Sequence, residues 1–176
     1  MDCGSACLLM IVEHYGIIIN QDKLRRDCEI GRSGVSLLGI TKAAEKIGIR
    51  TVGGMVSLHS LIAEKPFPCI AHWDQNHFVV IYKIRKHRRG DCTIYVADPG
   101  KGLLTYNKEE FCERWASTKT NGEEKGIVLL LEPTEKFYTQ NGTKQTSKRN
   151  RLKFLWGYLR KYKRFFVQLI LGLLLS

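Results

Sequence analysis

The sequence predicts an α+β fold, and three observations carry that prediction. Residues 4–65 hold capped, apolar helical segments. Residues 68–106 hold β-branched and aromatic runs joined by turn-forming residues. A last apolar run, GIVLLL at Gly126–Leu131, reads as one more strand. Helices first and antiparallel strands afterwards is the α+β order. The length of 176 residues suits one domain with an appendage, and 44% apolar with 10% aromatic residues supply a core.

Gly4–Tyr15 is apolar almost throughout and is stopped by Gly16, which predicts a helix buried on most sides. Asn20 and Asp22 can cap a short second helix ending at Arg26. Ser36 can cap a third, with Leu37, Leu38, Ile40, Ala43, Ala44 and Ile47 inside and Gly48 as its stop. Arg50–Val56 reads as a strand, and Ser57 starts a helical segment that ends before Pro66. Pro68–Trp73 is a short strand, followed by the turn Asp74-Gln75-Asn76. His77–Arg85 (HFVVIYKIR) and Cys92–Asp98 (CTIYVAD) flank the polar turn KHRRGD and form a hairpin ended by Pro99-Gly100. Leu103–Tyr106 is a further strand, and Asn107-Lys108-Glu109-Glu110 opens a short helix with a cap and early acids.

The body is expected to span residues 1–133. Residues 134–150 are polar without apolar period and read as a linker. Leu152, Leu155, Trp156, Leu159 and Tyr162 then fall near helical spacing among lysines and arginines, a basic amphipathic helix of the membrane-surface type. Phe165–Leu175 has about half the ~20 residues of a membrane span, so residues 151–176 read as that helix plus the start of a transmembrane helix. Charge follows the same division. Nine of the 28 basic residues lie from Lys144 onward with no acid among them, leaving 19 basic against 17 acidic residues in the rest of the chain. The net charge of +11 is thus a property of the tail, which argues against a nucleic-acid-binding face on the body. Positive charge beside a membrane segment stays cytoplasmic, so the body is expected at the cytoplasmic face of the cell membrane.

Six cysteines are too few for a disulfide scaffold, and no signal peptide precedes them, so reduced thiols are expected. Cys3 and Cys7 lack the second close Cys/His pair that a zinc site needs. No metal and no cofactor is implied.

Cys3 sits at the start of the first helix, where unpaired N–H groups and the helix dipole favour a thiolate. Cys7, Cys28, Cys69, Cys92 and Cys112 read as small buried apolar residues. A nucleophilic cysteine needs a base and the base needs an orienting group. A KHRRGD turn centred between His87 and Arg88 would set His77 opposite Asp98 across two strands. His87 lies in the turn, His59 in a helical segment with no partner in view, and His72 has no acid so well placed; His77 is favoured over His72.

DCGSACLLMI, AHWDQNHFVVIYKI and YVADPGKG, in that order, resemble the cysteine peptidase domain at the N-terminus of bacteriocin-processing ABC exporters, cysteine peptidase family 39. The resemblance spans Asp2–Pro133. It implies a papain-like fold, with a helix bearing the cysteine against an antiparallel sheet bearing the histidine and aspartate. It implies cleavage of leader peptides after a double glycine, with Cys3 as nucleophile, His77 as general base and acid, and Asp98 as the residue that orients His77. The implied partners are a peptide precursor with a double-glycine leader, the membrane, and the exporter's transmembrane and ATPase parts. The family's oxyanion-binding glutamine, a few residues before the cysteine, has no counterpart here, since only Met1 and Asp2 precede Cys3 and Gln21 and Gln75 stand elsewhere. No G-x-x-x-x-G-K-[ST] phosphate loop occurs. The chain is therefore expected to be a piece of a longer protein, a degenerate gene product or the product of a late start. A non-catalytic leader-docking module of the same fold is the alternative function.

Overall fold

The computed structural model describes residues 3–28, 35–87, 91–120 and 123–141. Helix α1 (Cys3–His14) begins at the cysteine and buries Cys7, Leu8, Ile11 and Val12 completely; Gly16, at φ +81°, takes the left-handed conformation that turns the chain away. Helix α2 (Gln21–Asp27) is capped by the Asn20 side chain, which accepts the Lys23 N–H at 3.0 Å. Helix α3 (Leu37–Lys46) is capped in the same way by Ser36, from the Gly39 N–H at 3.0 Å. Ser57 caps α4 (Leu58–Glu64), and Asn107 with Glu110 closes a reciprocal capping box on α5 (Lys108–Trp115). Asn20, Ser36 and Asn107 cap the helices they were expected to cap; Asp22 lies inside the first turn of α2 and does not cap it, and Ser57, expected to start a helical segment, caps it.

The strands are β1 (Ile49–Ser57), β2 (Cys69–Trp73), β3 (His77–Lys86), β4 (Cys92–Asp98), β5 (Gly102–Tyr106), β6 (Thr118–Thr120) and β7 (Glu123–Pro133). They form one antiparallel sheet in the order β1-β7-β2-β3-β4-β5, with β6 pairing on β7. The last long strand thus inserts between β1 and β2. It is longer than the GIVLLL run, because polar Glu123, Glu124 and Lys125 extend it to pair with β6 and Ser57.

Strand alternation divides the apolar residues into two cores. Phe78 and Val80 of β3, Ile70 of β2 and Leu129 and Leu131 of β7 face the core that contains α1, α2 and α3. Val79 and Ile81 of β3, Ile94 and Val96 of β4, and Ala71 and Trp73 of β2 face the core that contains Phe111 and Trp115 of α5 and Leu58 and Leu61 of α4. The fold is α+β as the sequence predicts.

Two expectations are corrected. The β3–β4 hairpin is not centred between His87 and Arg88. Lys86 faces Cys92, and the His87 N–H closes the turn on the Asp91 carbonyl at 2.8 Å. Tyr82 is then an extra residue: Lys83 faces Tyr95, but Ile81 faces Val96. Such a bulge changes the register on its far side. Val80 faces Ala97, so the same register continued by one residue sets Asp98 opposite Val79, two residues from His77.

The second correction concerns the polar segment 134–150, expected to be a linker. Its described part is helix α6 (Glu135–Asn141). Phe137 is fully buried in the α1–α3 core, and Tyr15 packs edge-on against it. One buried phenylalanine among polar residues anchors a short helix without producing an apolar period. The Thr134 N–H and hydroxyl both donate to the Gly48 carbonyl, and Asn141 Nδ2 donates to the Ile47 carbonyl at 3.0 Å. The rest of that segment, the basic helix expected within 151–176 and the apolar Phe165–Leu175 run lie outside the described residues. Among the described residues no helix is long and apolar enough to cross a membrane.

Gly48 carries both a backbone and a packing demand. Its φ is +87°, and a Cβ there would lie 2.6 Å from the Phe137 nitrogen and 2.9 Å from the Phe137 Cα. Gly48→Ala is expected to cost about 2–4 kcal/mol, through left-handed strain and crowding against backbone. Gly54→Ala, where nothing lies within 4 Å of the added carbon, should change stability by less than about 0.5 kcal/mol. Urea unfolding of the two variants checks this; equal losses would contradict the docking of α6 on Gly48.

Candidate active site

His77 opens β3 just after a tight turn. Asp74 and Gln75 hold positive φ values of 46° and 59°, and the Asn76 N–H closes on the Trp73 carbonyl at 3.2 Å. The turn is pinned from outside by the end of α5. The Asp74 N–H donates to the Arg114 carbonyl at 3.0 Å, and the Arg114 guanidinium pairs with the Asp74 carboxylate at 3.1 Å. Trp73, paired with His77 across β2–β3, is fully buried against Tyr106 and Phe111. The backbone that presents His77 is therefore held on both sides.

Asp98 closes β4, and its side chain is only 3% exposed. The Gly100 N–H donates to Asp98 Oδ1 at 2.8 Å, the Asx turn that an Asp-Pro-Gly sequence favours. The same oxygen lies 3.0 Å from His77 Nε2. The two residues meet on the diagonal of the sheet and not directly across it, within the reach of an imidazole. Burial opposes ionisation of Asp98. The Gly100 N–H, the His77 hydrogen bond and charge, and the Lys101 charge outweigh it and hold the carboxyl below its ordinary range. An ionised carboxylate only accepts, so His77 donates from Nε2 and its Nδ1 is left for another partner.

Cys3 is the first residue of α1 and is 9% exposed, in the core cluster that also holds Val35 and Ile40. Gly4 is closely packed: an added Cβ would meet Ile40 Cδ1 at 2.7 Å and Val35 Cγ1 at 2.8 Å, so both side chains would have to shift. Cys3 and His77 are not hydrogen-bonded to each other in this structure. What ties α1 to β3 is one turn further on. Cys7 Sγ donates to the carbonyl of Phe78, the residue after His77, at 3.2 Å. Burial, then the charges of Cys3 and Asp98, push the Cys7 thiol well above its ordinary range. The structure thus joins His77 to Asp98 directly and brings the first turn of α1 to the same end of the sheet.

The competing histidines are used otherwise. The His72 ring lies against Phe78, with 5.3 Å between centroids, and has no hydrogen-bond partner among the described residues. His87 bonds the Thr93 hydroxyl at 2.9 Å on the surface, and His59 lines an exposed groove with Lys108. Among the described residues no three His, Cys, Asp or Glu side chains gather as a metal site. Two contributors were missed from the sequence, the Gly100 N–H and the Cys7 thiol. The Asp-Pro-Gly signal could have found the first. Nothing local marks the second, whose partner is 71 residues away.

Comparison with known proteins agrees with this geometry. The model of the Peptidase C39 family matches residues 1–135. The chain is 31% identical over 166 residues to the colicin V secretion/processing ATP-binding protein CvaB of Escherichia coli, covering 94% of this chain and 22% of that protein. It is 32% identical over 141 residues to the lactococcin-G-processing and transport ATP-binding protein LagD of Lactococcus lactis subsp. lactis, covering 77% of this chain and 18% of that protein. The chain therefore spans about a fifth of the length of these relatives. Among solved structures, a double glycine motif protease from an AMS/PCAT transporter in complex with the leader peptide matches with a TM-score of 0.60 at 31% identity, covering 76% of this chain and 85% of that one. The peptidase domain of Streptococcus ComA matches with a TM-score of 0.60 at 25% identity, covering 76% and 92%. A family match over three quarters of its length, on a fold that brings the first turn of α1 to the end of the sheet where His77 meets Asp98, means that the chain belongs to the Peptidase C39 family of cysteine peptidases.

Proposed function

We propose that this chain cleaves a peptide precursor after a double-glycine leader, with Cys3 as nucleophile, His77 as general base and acid, and Asp98 as the orienting group. The observation that carries the reading is the 3.0 Å bond from His77 Nε2 to an Asp98 carboxylate that is itself fixed by the Gly100 N–H. It orients the imidazole and leaves Nδ1 to exchange a proton with a thiol. The Cys3 sulfur attacks the scissile carbonyl carbon as its proton passes to His77. The tetrahedral intermediate collapses to a thioester when His77 returns that proton to the leaving amine. Water, activated by the same imidazole, then hydrolyses the thioester. Cys3 lies in the first turn of α1, whose N–H groups have no acceptor within the helix. The Cys3 N–H is the donor this reading assigns to the oxyanion.

The double-glycine specificity rests on the relative with a bound leader peptide and on the processing proteins among the relatives. On the same reading, the peptidase works on the cytoplasmic face of a membrane beside the transmembrane and ATPase parts of an exporter. The nine basic residues from Lys144 onward support that location through attraction to anionic lipid.

Incubation with a double-glycine leader peptide, followed by mass spectrometry, is expected to give a product ending in the second glycine. Cys3→Ala and His77→Ala should abolish it, and Asp98→Ala should lower kcat/KM by about 10²-fold or more with the fold intact. The double variant His77→Ala/Asp98→Ala should be no worse than His77→Ala alone, since the two act as one unit. Cleavage that survives His77→Ala would move the base elsewhere.

A second expectation concerns the thiols. Cys7, Cys69, Cys92 and Cys112 are 4% exposed or less, and burial is the first cause that raises each; Cys69 and Cys112 are pushed up to about 12. Iodoacetamide at neutral pH should therefore modify Cys3 first by peptide mapping. Modification of any of those four before Cys3 would contradict this.

A further inference from the structure

Cys7 has no part in the proposed chemistry, yet its position is unusual. It lies one helical turn beyond Cys3, fully buried, and its thiol donates across 71 residues to a main-chain carbonyl of β3. That carbonyl belongs to Phe78, bonded in sequence to His77. We propose that Cys7 is a positioning residue, whose hydrogen bond to the Phe78 carbonyl sets Cys3 against His77. This inference rests on the reading of Cys3 and His77 as nucleophile and base.

The base is located by the sheet: β2 pairing, the Asp74 turn held by Arg114, and Asp98 with Gly100. The nucleophile is located by α1, which packs on the sheet mainly through apolar residues, with the Tyr15 hydroxyl donating to the Leu131 carbonyl at 3.4 Å just beyond its far end. Apolar packing is non-directional and leaves rotation about the helix axis and sliding along it softly determined. A hydrogen bond is directional, and this one acts four residues from the sulfur, on the strand residue next to the base. The turn between Cys3 and Cys7 is a rigid unit, so fixing one end fixes the other. A misplacement of reacting groups by about 1 Å costs about 10²-fold in rate, so a contact too weak to matter for folding can matter for turnover. A role confined to filling space would need no donor.

The test uses variants for which stability and turnover are expected to rank differently. Cys7→Ala and Cys7→Val remove the donor; Cys7→Ser keeps one but puts a more polar group in the core, so Cys7→Ser should be no more stable than Cys7→Ala. Leader-peptide kcat is expected to fall by about tenfold to a hundredfold in Cys7→Ala and Cys7→Val, with KM within about twofold, and to recover in Cys7→Ser. Turnover that follows stability, or is unchanged in Cys7→Ala, overturns the proposal. A second readout needs no peptide: the rate of Cys3 alkylation by iodoacetamide in the full chain. Cys7→Ala should lower it in the native background and leave it unchanged in a His77→Ala background, because the contact acts through that pair. Equal effects in both backgrounds overturn the positioning role. If His77→Ala by itself leaves Cys3 alkylation unaltered, the peptidase reading falls, and this inference with it.

Discussion

The site depends on one oxygen atom. Asp98 Oδ1 accepts from the Gly100 N–H at 2.8 Å and from His77 Nε2 at 3.0 Å, inside a carboxylate that is 3% exposed. Burying a carboxylate is unfavourable unless its lone pairs are used. Here the acceptor bonds lower its proton affinity more than burial raises it. The charge so retained fixes which ring nitrogen of His77 carries the proton. Without Gly100 the aspartate would lose its tether to the backbone, and without Asp98 nothing would orient the imidazole. Everything else in the sheet serves to bring these two strand ends together.

That convergence has a topological cause. β7 inserts between β1 and β2, so β7, β2, β3 and β4 are interior strands of the sheet, and β2 and β3 supply residues to both cores. Both cores close on the residues next to the site: Phe78 and Ala97 pack toward α1, and Trp73 and Val96 toward α5. A site at the end of doubly covered strands gains rigidity from packing that takes no part in chemistry. Helix α6 adds to the same body through Phe137, buried in the α1–α3 core, and through the close approach to Gly48.

Much of this was legible in the sequence because it is local. Caps at Asn20, Ser36, Ser57 and Asn107 are chemical signals a few residues long, and the β-branched runs around KHRRGD announce a hairpin. The meeting of His77 with Asp98 was read from a turn taken to be centred between His87 and Arg88. The two residues do meet, but diagonally, since the longer turn and the Tyr82 bulge shift the register. The expectation survived because an imidazole reaches a diagonal neighbour as well as a direct one. The Cys7–Phe78 bond and the burial of Phe137 were not legible, since each joins segments far apart in sequence and neither leaves a periodic trace. Strand β6 was missed for a related reason: three polar residues pair only because β7 extends beside them.

The most direct test of the account traps the nucleophile in place. A leader peptide ending in a Gly-Gly chloromethyl ketone alkylates a thiol: the sulfur bonds to the methylene carbon, chloride leaves, and the peptide stays attached as a thioether. Peptide mapping is expected to find the adduct on Cys3 alone, and His77→Ala should form it about a hundredfold more slowly. An adduct on another cysteine, or an equal rate in His77→Ala, would contradict the claim that Cys3, His77 and Asp98 work as one site.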